Sequence, residues 1–260
     1  MLLIEANITA GLLSAEALIP ALILFTGMLA SLLLKKLTLA GALTGGLMGA
    51  LVYSGAGYSG LAMLGAFFVL GTLATLYRRA EKPGLSSVPA GGPAADRNPE
   101  QTGRTAGQVL ANGGVAGLCG LLGIILPHYS LLFITVMAAS LASATADTLA
   151  SELGMLFGRN FYNCISLKRD LRGLDGVISL EGTLIGIIGA ALIALIYSLH
   201  NGLSGFSLLI IITGAAGNLT DSVLGASLER KGYLGNDMVN FLSTLLAGVL
   251  AAIWLILFPV

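Results

Sequence analysis

Long runs of apolar residues, separated by short polar stretches, extend along the chain from about residue 17 to the end. A helix that crosses a bilayer needs about 20 predominantly apolar residues. Eight segments approach or reach that length, and their glycine content favours close packing between helices. The pattern predicts an all-α polytopic membrane protein with transmembrane helices at residues 17–34, 38–54, 58–77, 107–126, 130–150, 180–199, 203–222 and 238–258.

Two stretches do not fit the spanning pattern. Residues 1–16 are expected to form a short N-terminal lid or interfacial segment, and they lack the basic region of a removable signal peptide. Residues 79–106 contain four of the seven prolines together with Gly and Ser, a composition typical of a flexible linker. We therefore expect one membrane domain over residues 1–260, interrupted by a flexible cytoplasmic linker.

The composition excludes several classes of protein. Hydrophobic residues make up 56% of the chain and charged residues 10%, whereas charged residues make up about 25% of a soluble protein. So few charges cannot cover the surface of a soluble fold. A soluble enzyme, a secreted disulfide scaffold and a nucleic-acid-binding protein are therefore excluded, and the bilayer is the expected surrounding.

The basic residues are distributed unevenly, although the formal net charge is zero. With eight helices, every Lys and Arg falls in a connection after an odd-numbered helix, and none falls in the alternate connections. Under the positive-inside rule, the basic connections face the cytoplasm and both termini lie outside the cell membrane. The basic residues are Lys35, Lys36, Arg78, Arg79, Lys82, Arg97, Arg104, Arg159, Lys168, Arg169, Arg172, Arg230 and Lys231.

Polar residues gather near the cytoplasmic ends of the predicted helices, where they are costly and often functional. Arg104, Gln108 and Asn112 recur every four residues and share one helix face. A single such residue is often only a cap or a packing contact, but neutral side chains would pack at lower cost than Asp147 and Asp221. The other candidates are Glu152, Glu181, Asn218, Ser222, Lys231, Asp237 and Asn240.

These residue types suit the chemistry of phosphoryl transfer. Carboxylate and amide oxygens are the hard ligands that Mg²⁺ prefers, and Arg and Lys bind phosphate oxygens. Phosphoryl transfer depends mainly on positioning and on neutralising charge. A site at the membrane surface predicts a lipid as one substrate and a nucleotide from the cytoplasm as the other.

Five motifs, at residues 104–114, 146–154, 176–184, 217–226 and 232–244, resemble those of a multi-spanning membrane family, once uncharacterised, that includes plant and cyanobacterial phytyl-phosphate kinase. The motifs occur in the family's order, and the resemblance extends from about residue 20 to the C-terminus. It implies transfer of a phosphoryl group from a nucleoside triphosphate, CTP in the plant enzyme, to a prenyl monophosphate such as phytyl phosphate. The product, a prenyl diphosphate, would enter isoprenoid metabolism.

The resemblance also implies roles for individual residues. Asp147, Asp221 and Arg104 would form the catalytic centre. Mg²⁺ would be held by Asp147, Glu152, Asp221 and Asp237. The prenyl phosphate and the nucleotide would be contacted by Gln108, Asn112, Glu181, Asn218, Ser222, Lys231 and Asn240. This chain reads Gly-Val-Ile-Ser at 176–179, where Gly-Gly-Val-Ser is expected in many relatives, but the difference touches none of the proposed ligands.

Three alternatives stay open at this point. A CTP-dependent lipid cytidylyltransferase or a polyprenol kinase would use the same residue types. An ion-coupled membrane transporter would use Asp147 and Asp221 as an ion site, although transporters usually place such sites near the membrane midplane. The sequence leaves open whether the chain forms a homodimer.

Overall fold

The computed structural model of the protein describes residues 15–78 and 103–258. The predicted N-terminal segment, apart from its last two residues, and the predicted linker as far as residue 102 lie outside the described residues. The same holds for Arg79, Lys82 and Arg97, which were predicted to face the cytoplasm.

The described residues confirm the all-α prediction. The helices are α1 (Ala15–Leu33), α2 (Leu39–Leu76), α3 (Ala106–Ile125), α4 (Ser130–Phe157), α5 (Leu180–Asn201), α6 (Gly205–Leu224) and α7 (Asn236–Leu257). A 3₁₀ turn, Pro127–Tyr129, precedes α4, and a π-helical turn, Gly225–Glu229, extends α6. Two short antiparallel strands, β1 (Tyr162–Asn163) and β2 (Val177–Ile178), pair within the connection between α4 and α5.

The predicted number of eight separate spans is not confirmed. Within the described residues, six helices are long and apolar enough to cross a membrane, and the apolar part of α1, Leu18–Leu33, is shorter. The predicted helices 38–54 and 58–77 both lie in α2, which is broken at Gly57 (φ 60°, ψ −150°). Glycine is the residue that tolerates such a backbone conformation at little cost.

The break at Gly57 folds α2 back on itself. A Cβ atom placed on Gly60 would lie 3.0 Å from the carbonyl oxygen of Val52, whereas eight residues of a continuous helix span about 12 Å. Gly41 and Gly71, near the two ends of α2, both contact Arg104. The halves 39–56 and 58–76 are therefore antiparallel, and each is about 27 Å long at 1.5 Å per residue.

Helix α4 lies at the centre of the bundle, in contact with α2, α3, α5, α6 and α7. Every residue from 137 to 146 of α4 is buried. Small residues let the neighbouring helices approach: a Cβ atom on Gly214 of α6 would lie 2.7 Å from that of Ala142. This central position places Asp147, on the next turn of α4, among five other helices.

The basic connections meet at one end of the bundle, which we call the basic end. The Thr38 amide donates to the Arg104 carbonyl (3.1 Å) and the Arg104 amide donates to the Lys36 carbonyl (2.8 Å), so the α1–α2 connection pairs with the start of α3. Arg230, after α6, binds Asp170 in the α4–α5 connection (2.8 Å). The opposite end, formed by Gly57 and by residues 126–129 and 202–204, contains no Lys or Arg.

Candidate active site

A polar cavity of about 670 Å³ opens at the basic end. Residues from α2 to α7 and from the α4–α5 connection line it. The structure brings nine of the predicted site residues together in its wall: Arg104, Gln108, Asn112, Asp147, Glu152, Asn218, Asp221, Ser222 and Asn240.

Asp147 and Asp221 both line this cavity. Their carboxyl groups, on α4 and α6, lie against each other, and Ser243 of α7 lies beside Asp221. The second carboxyl oxygen of Asp221, Oδ2, is buried without a hydrogen-bond partner among the described residues. Two contacting carboxylates repel each other unless a proton or a cation lies between them, so the pair favours a positively charged ligand.

Arg104 is held rigidly at the start of α3. Its backbone pairs with the α1–α2 connection, and its guanidinium carbon lies 5.7 Å from the ring centre of Phe67 and 5.9 Å from that of Phe68. Aromatic faces attract such a cation. Burial lowers the pKa of the Arg104 guanidinium, while the negative charge of Glu152 raises it. The result is an oriented positive charge in the wall of the cavity.

Gln108 and Asn112 already have structural partners. The Gln108 side-chain oxygen accepts from the Thr105 amide (3.0 Å) and the Thr105 hydroxyl accepts from the Gln108 amide (3.3 Å). This reciprocal pair is a capping box. The Asn112 side-chain amide donates to the Gln108 carbonyl (3.0 Å). Both side chains therefore stabilise the start of α3, and in addition they line the cavity.

Glu152 is anchored by a residue that the sequence did not single out. The Thr75 hydroxyl of α2 donates to a Glu152 carboxyl oxygen (2.9 Å), and Thr75 also lines the cavity. A threonine near the end of an apolar helix is common, so only the pairing across 77 residues of sequence reveals this role.

A second arginine, Arg172, lines the cavity from the α4–α5 connection. Its guanidinium lies 4.8 Å from the ring centre of Phe161, and its Nε is buried without a hydrogen-bond partner among the described residues. From its place in the sequence, Arg172 is predicted only to help set the topology. The signal that could have found it is its position four residues before the motif at 176–184.

Arg230 holds the α4–α5 connection in place. It donates from Nε to the Asp175 carbonyl (2.5 Å) and through a second nitrogen to Asp170 (2.8 Å). The hydrogen bond from Arg230 is the main reason why the pKa of Asp170 lies below its usual value. This contact fixes the chain on either side of Arg172.

Three of the predicted site residues do not line the cavity: Glu181, Lys231 and Asp237. Glu181 accepts a hydrogen bond from the Arg159 amide (3.4 Å) near the start of α5. Asp237 lies against the first turn of α3, where a Cβ atom on Gly107 would be 2.6 Å from its Oδ2. Lining residues outside the predicted set include Thr75, Arg172, Asp175, Glu229 and Asn236.

The donor set fits a metal ion shared with a substrate better than a site built by protein alone. No group of three or more His, Cys, Asp and Glu residues that could hold a metal occurs within 15–78 and 103–258. Mg²⁺, however, is commonly bound by one or two carboxylates together with substrate phosphates. Asp147 and Asp221, with the unpartnered Oδ2, meet that requirement.

The family described as Integral membrane protein DUF92 matches residues 21–248. An uncharacterized membrane protein of Methanocaldococcus jannaschii is 33% identical over 213 residues, which are 82% of this chain and 83% of the relative. No solved structure matches the chain.

Two further relatives come from Arabidopsis thaliana and Synechocystis. Protein VTE6, chloroplastic, of Arabidopsis thaliana is 28% identical over 227 residues, covering 85% of this chain and 66% of the plant protein. An uncharacterized membrane protein of Synechocystis is 32% identical over 211 residues, covering 78% of this chain and 77% of the relative.

Proposed function

The chain belongs to the integral membrane protein family DUF92, and from that premise we propose that it is a membrane-embedded kinase acting on a prenyl monophosphate. The enzyme transfers a phosphoryl group from a nucleoside triphosphate, CTP by the resemblance of its motifs, and the product is the prenyl diphosphate. The observation that carries the proposal is the combination of a contacting carboxylate pair and two arginines in one cavity at the end of a membrane bundle.

The two arginines suit two phosphate-bearing substrates. Arg104 lies on the side of the cavity formed by α2 and α3, and Arg172 lies on the side formed by the α4–α5 connection. We assign Arg104 to the phosphate of the acceptor and Arg172 to the phosphates of the nucleotide. A guanidinium forms paired hydrogen bonds with phosphate oxygens and is well suited to both tasks.

Asp147 and Asp221 are the residues that would hold Mg²⁺. When bound, the ion would neutralise the negative charge on the phosphate oxygens. Asn218, Ser222 and Asn240 line the same cavity and orient phosphate or ribose oxygens by hydrogen bonds. Glu152 is anchored by the hydrogen bond from Thr75, and its negative charge attracts the guanidinium of Arg104. This attraction helps to keep the Arg104 guanidinium in position.

The reaction needs no base from the protein. An oxygen of the acceptor phosphate attacks the γ-phosphorus, the bond from that phosphorus to the β–γ bridging oxygen breaks, and the nucleoside diphosphate leaves with the bond electrons. A phosphate monoester with a second pKa of about 6 is largely ionised at neutral pH. The chain's contribution is therefore to bring two anions together and to neutralise them.

The membrane location supports a lipid acceptor, and the basic end supports a soluble, polyanionic donor. By the positive-inside rule, this end faces the cytoplasm, where nucleotides are available. In this orientation both termini would lie outside, and the cell membrane is the location that we propose.

The test uses purified protein in liposomes with Mg²⁺, CTP or ATP, and phytyl, geranyl or dimethylallyl monophosphate, with phytol as the free-alcohol acceptor in a parallel assay. Formation of the prenyl diphosphate with a stoichiometric nucleoside diphosphate is expected. Release of pyrophosphate would identify a cytidylyltransferase instead, and turnover of the free alcohol would identify a polyprenol kinase. Solute flux without consumption of nucleotide would identify a transporter and overturn the proposal.

A further inference from the structure

A second cavity, of about 280 Å³, lies between α1, the two halves of α2, and α3. Its wall is almost entirely apolar, with side chains such as Leu24, Met28, Leu61, Leu64 and Phe68. We call it the apolar cavity.

Glycines keep the apolar cavity open. Gly113 of α3 is buried, yet a Cβ atom placed there would meet no atom within 4 Å. Gly65 of α2 also has open space at its Cβ position. Glycines at helix contacts behave differently: a Cβ atom on Gly55 would lie 2.6 Å from the Cα atom of Gly120. Gly113 therefore does not allow two helices to pack closely. Because it has no side chain, it leaves space in the apolar cavity.

The apolar and polar cavities adjoin each other. Phe67, Arg104 and Gln108 line both of them. The Arg104 guanidinium lies between the two, close to the rings of Phe67 and Phe68. A ligand that fits both cavities carries an anionic group beside Arg104 and a hydrocarbon chain beyond it.

We propose that the apolar cavity binds the first isoprene units of the acceptor, with the acceptor phosphate beside Arg104. The inference rests on the proposed kinase function and adds the position of the hydrocarbon chain. At about 30 Å³ for each methylene-sized group, close to the volume of one liquid water, the cavity holds on the order of nine such groups. About two isoprene units fit, and the rest of a longer chain extends into the bilayer.

The first experiment fills the cavity with Gly113→Leu. The measured quantity is kcat/KM for phytyl (C20), geranyl (C10) and dimethylallyl (C5) monophosphate in liposomes with Mg²⁺ and the active nucleotide. We expect at least a tenfold loss for the C10 and C20 acceptors and less than a threefold loss for the C5 acceptor. Gly205→Leu is the matched control, because Gly205 lies at the opposite end of the bundle and also has open space at its Cβ position.

The outcomes separate the two proposals. If the unmodified protein transfers no phosphoryl group to any acceptor, the kinase function fails. If it does, and Gly113→Leu lowers activity on all three acceptors equally or on none, the assignment of the apolar cavity is overturned.

A second measurement does not depend on turnover. A geranyl monophosphate that carries a diazirine on its terminal isoprene unit is photolysed with the full-length protein, and the labelled peptides are identified. Labels on α1, α2 or α3 next to the apolar cavity, reduced by excess phytyl phosphate, are expected. Labels elsewhere, or labels reduced only by added phospholipid, would contradict the inference.

Discussion

The carboxyl groups of Asp147 on α4 and Asp221 on α6 contact each other inside the helix bundle, in the wall of the polar cavity. The two residues are 74 positions apart in the sequence, and the central location of α4 brings them together. A contact between two acidic groups is unfavourable in isolation, so a ligand that supplies positive charge stabilises this arrangement.

Asp147→Asn and Asp221→Asn are expected to lower kcat at least a hundredfold while the protein remains folded. Each change removes a negative charge from the pair, so the thermal stability of the ligand-free protein should be unchanged or higher. Diphosphate formation and the melting temperature in detergent are the two measurements. A folded Asn variant with full activity would remove the carboxylate pair from the mechanism.

Asp237→Asn tests whether Asp237 is a Mg²⁺ ligand, as predicted from the sequence, or lies outside the site, as in the structure. Asp237 lies outside the cavity, so its side chain does not reach the substrates, and we expect kcat to change by less than about threefold. A loss of kcat as large as that in Asp147→Asn would show that Asp237 is a ligand, as predicted from the sequence. The two variants are assayed together over a range of Mg²⁺ concentrations.

Arg104→Gln and Arg172→Gln are expected to affect different substrates. Loss of a hydrogen bond to a charged group costs about 1.5–3 kcal/mol, so KM should rise tenfold or more. The KM for the prenyl monophosphate should rise in Arg104→Gln, and the KM for the nucleotide should rise in Arg172→Gln. The opposite pattern in steady-state kinetics would exchange the two assignments.

The ion pair of Arg230 with Asp170 makes a pH-dependent contribution to stability. The pKa of Asp170 is lowered in the folded protein, so the stabilisation is present above the unfolded value of about 3.9 and is lost as pH falls through the folded value. Asp170→Asn should lower the melting temperature slightly at pH 7, and the difference should vanish in strong acid. A partly exposed pair of this kind contributes on the order of 0.2–1 kcal/mol, and high salt should weaken it. A difference that persists in acid would assign the effect to packing.

Gly57→Ala tests the turn within α2. Nothing lies within 4 Å of the added Cβ atom, so only the backbone conformation, with φ of 60°, opposes the change. Strain of this type costs about 1–3 kcal/mol, and a lower melting temperature is expected. Gly205→Ala, also in open space but without positive φ, is the control. Equal melting temperatures for the two variants would mean that the turn adapts without cost.

Hydropathy was sufficient to predict the helices and the end of the bundle where the charges meet. Apolar length and the absence of basic residues from alternate connections are local properties of the sequence, and they survive folding unchanged. The separation of 38–54 from 58–77 was also predicted, but the sequence did not predict that a single residue, Gly57, makes the turn within an otherwise continuous helix.

The candidate site could be predicted in part. Asp147 and Asp221 stand out because charge within an apolar helix is costly. Thr75 and Arg172 do not stand out, since threonine is common in membrane helices and arginine is common in cytoplasmic connections. Asp237 and Glu181 resemble site residues in the sequence, but the direction of each helix start takes their side chains away from the cavity wall.

The backbone pairing of Leu37 with Arg104 has a practical consequence for protein engineering. Arg104 is positioned by hydrogen bonds to Lys36 and Thr38, and the end of α2 is held by a tilted ring contact between Tyr77 and Phe157 (6.1 Å between ring centres). Both flanks of the segment 79–102 are thus anchored by contacts outside it. That segment is a suitable insertion point for a rigid soluble partner, which would give a small membrane protein a recognisable shape for electron microscopy without displacing the arginine.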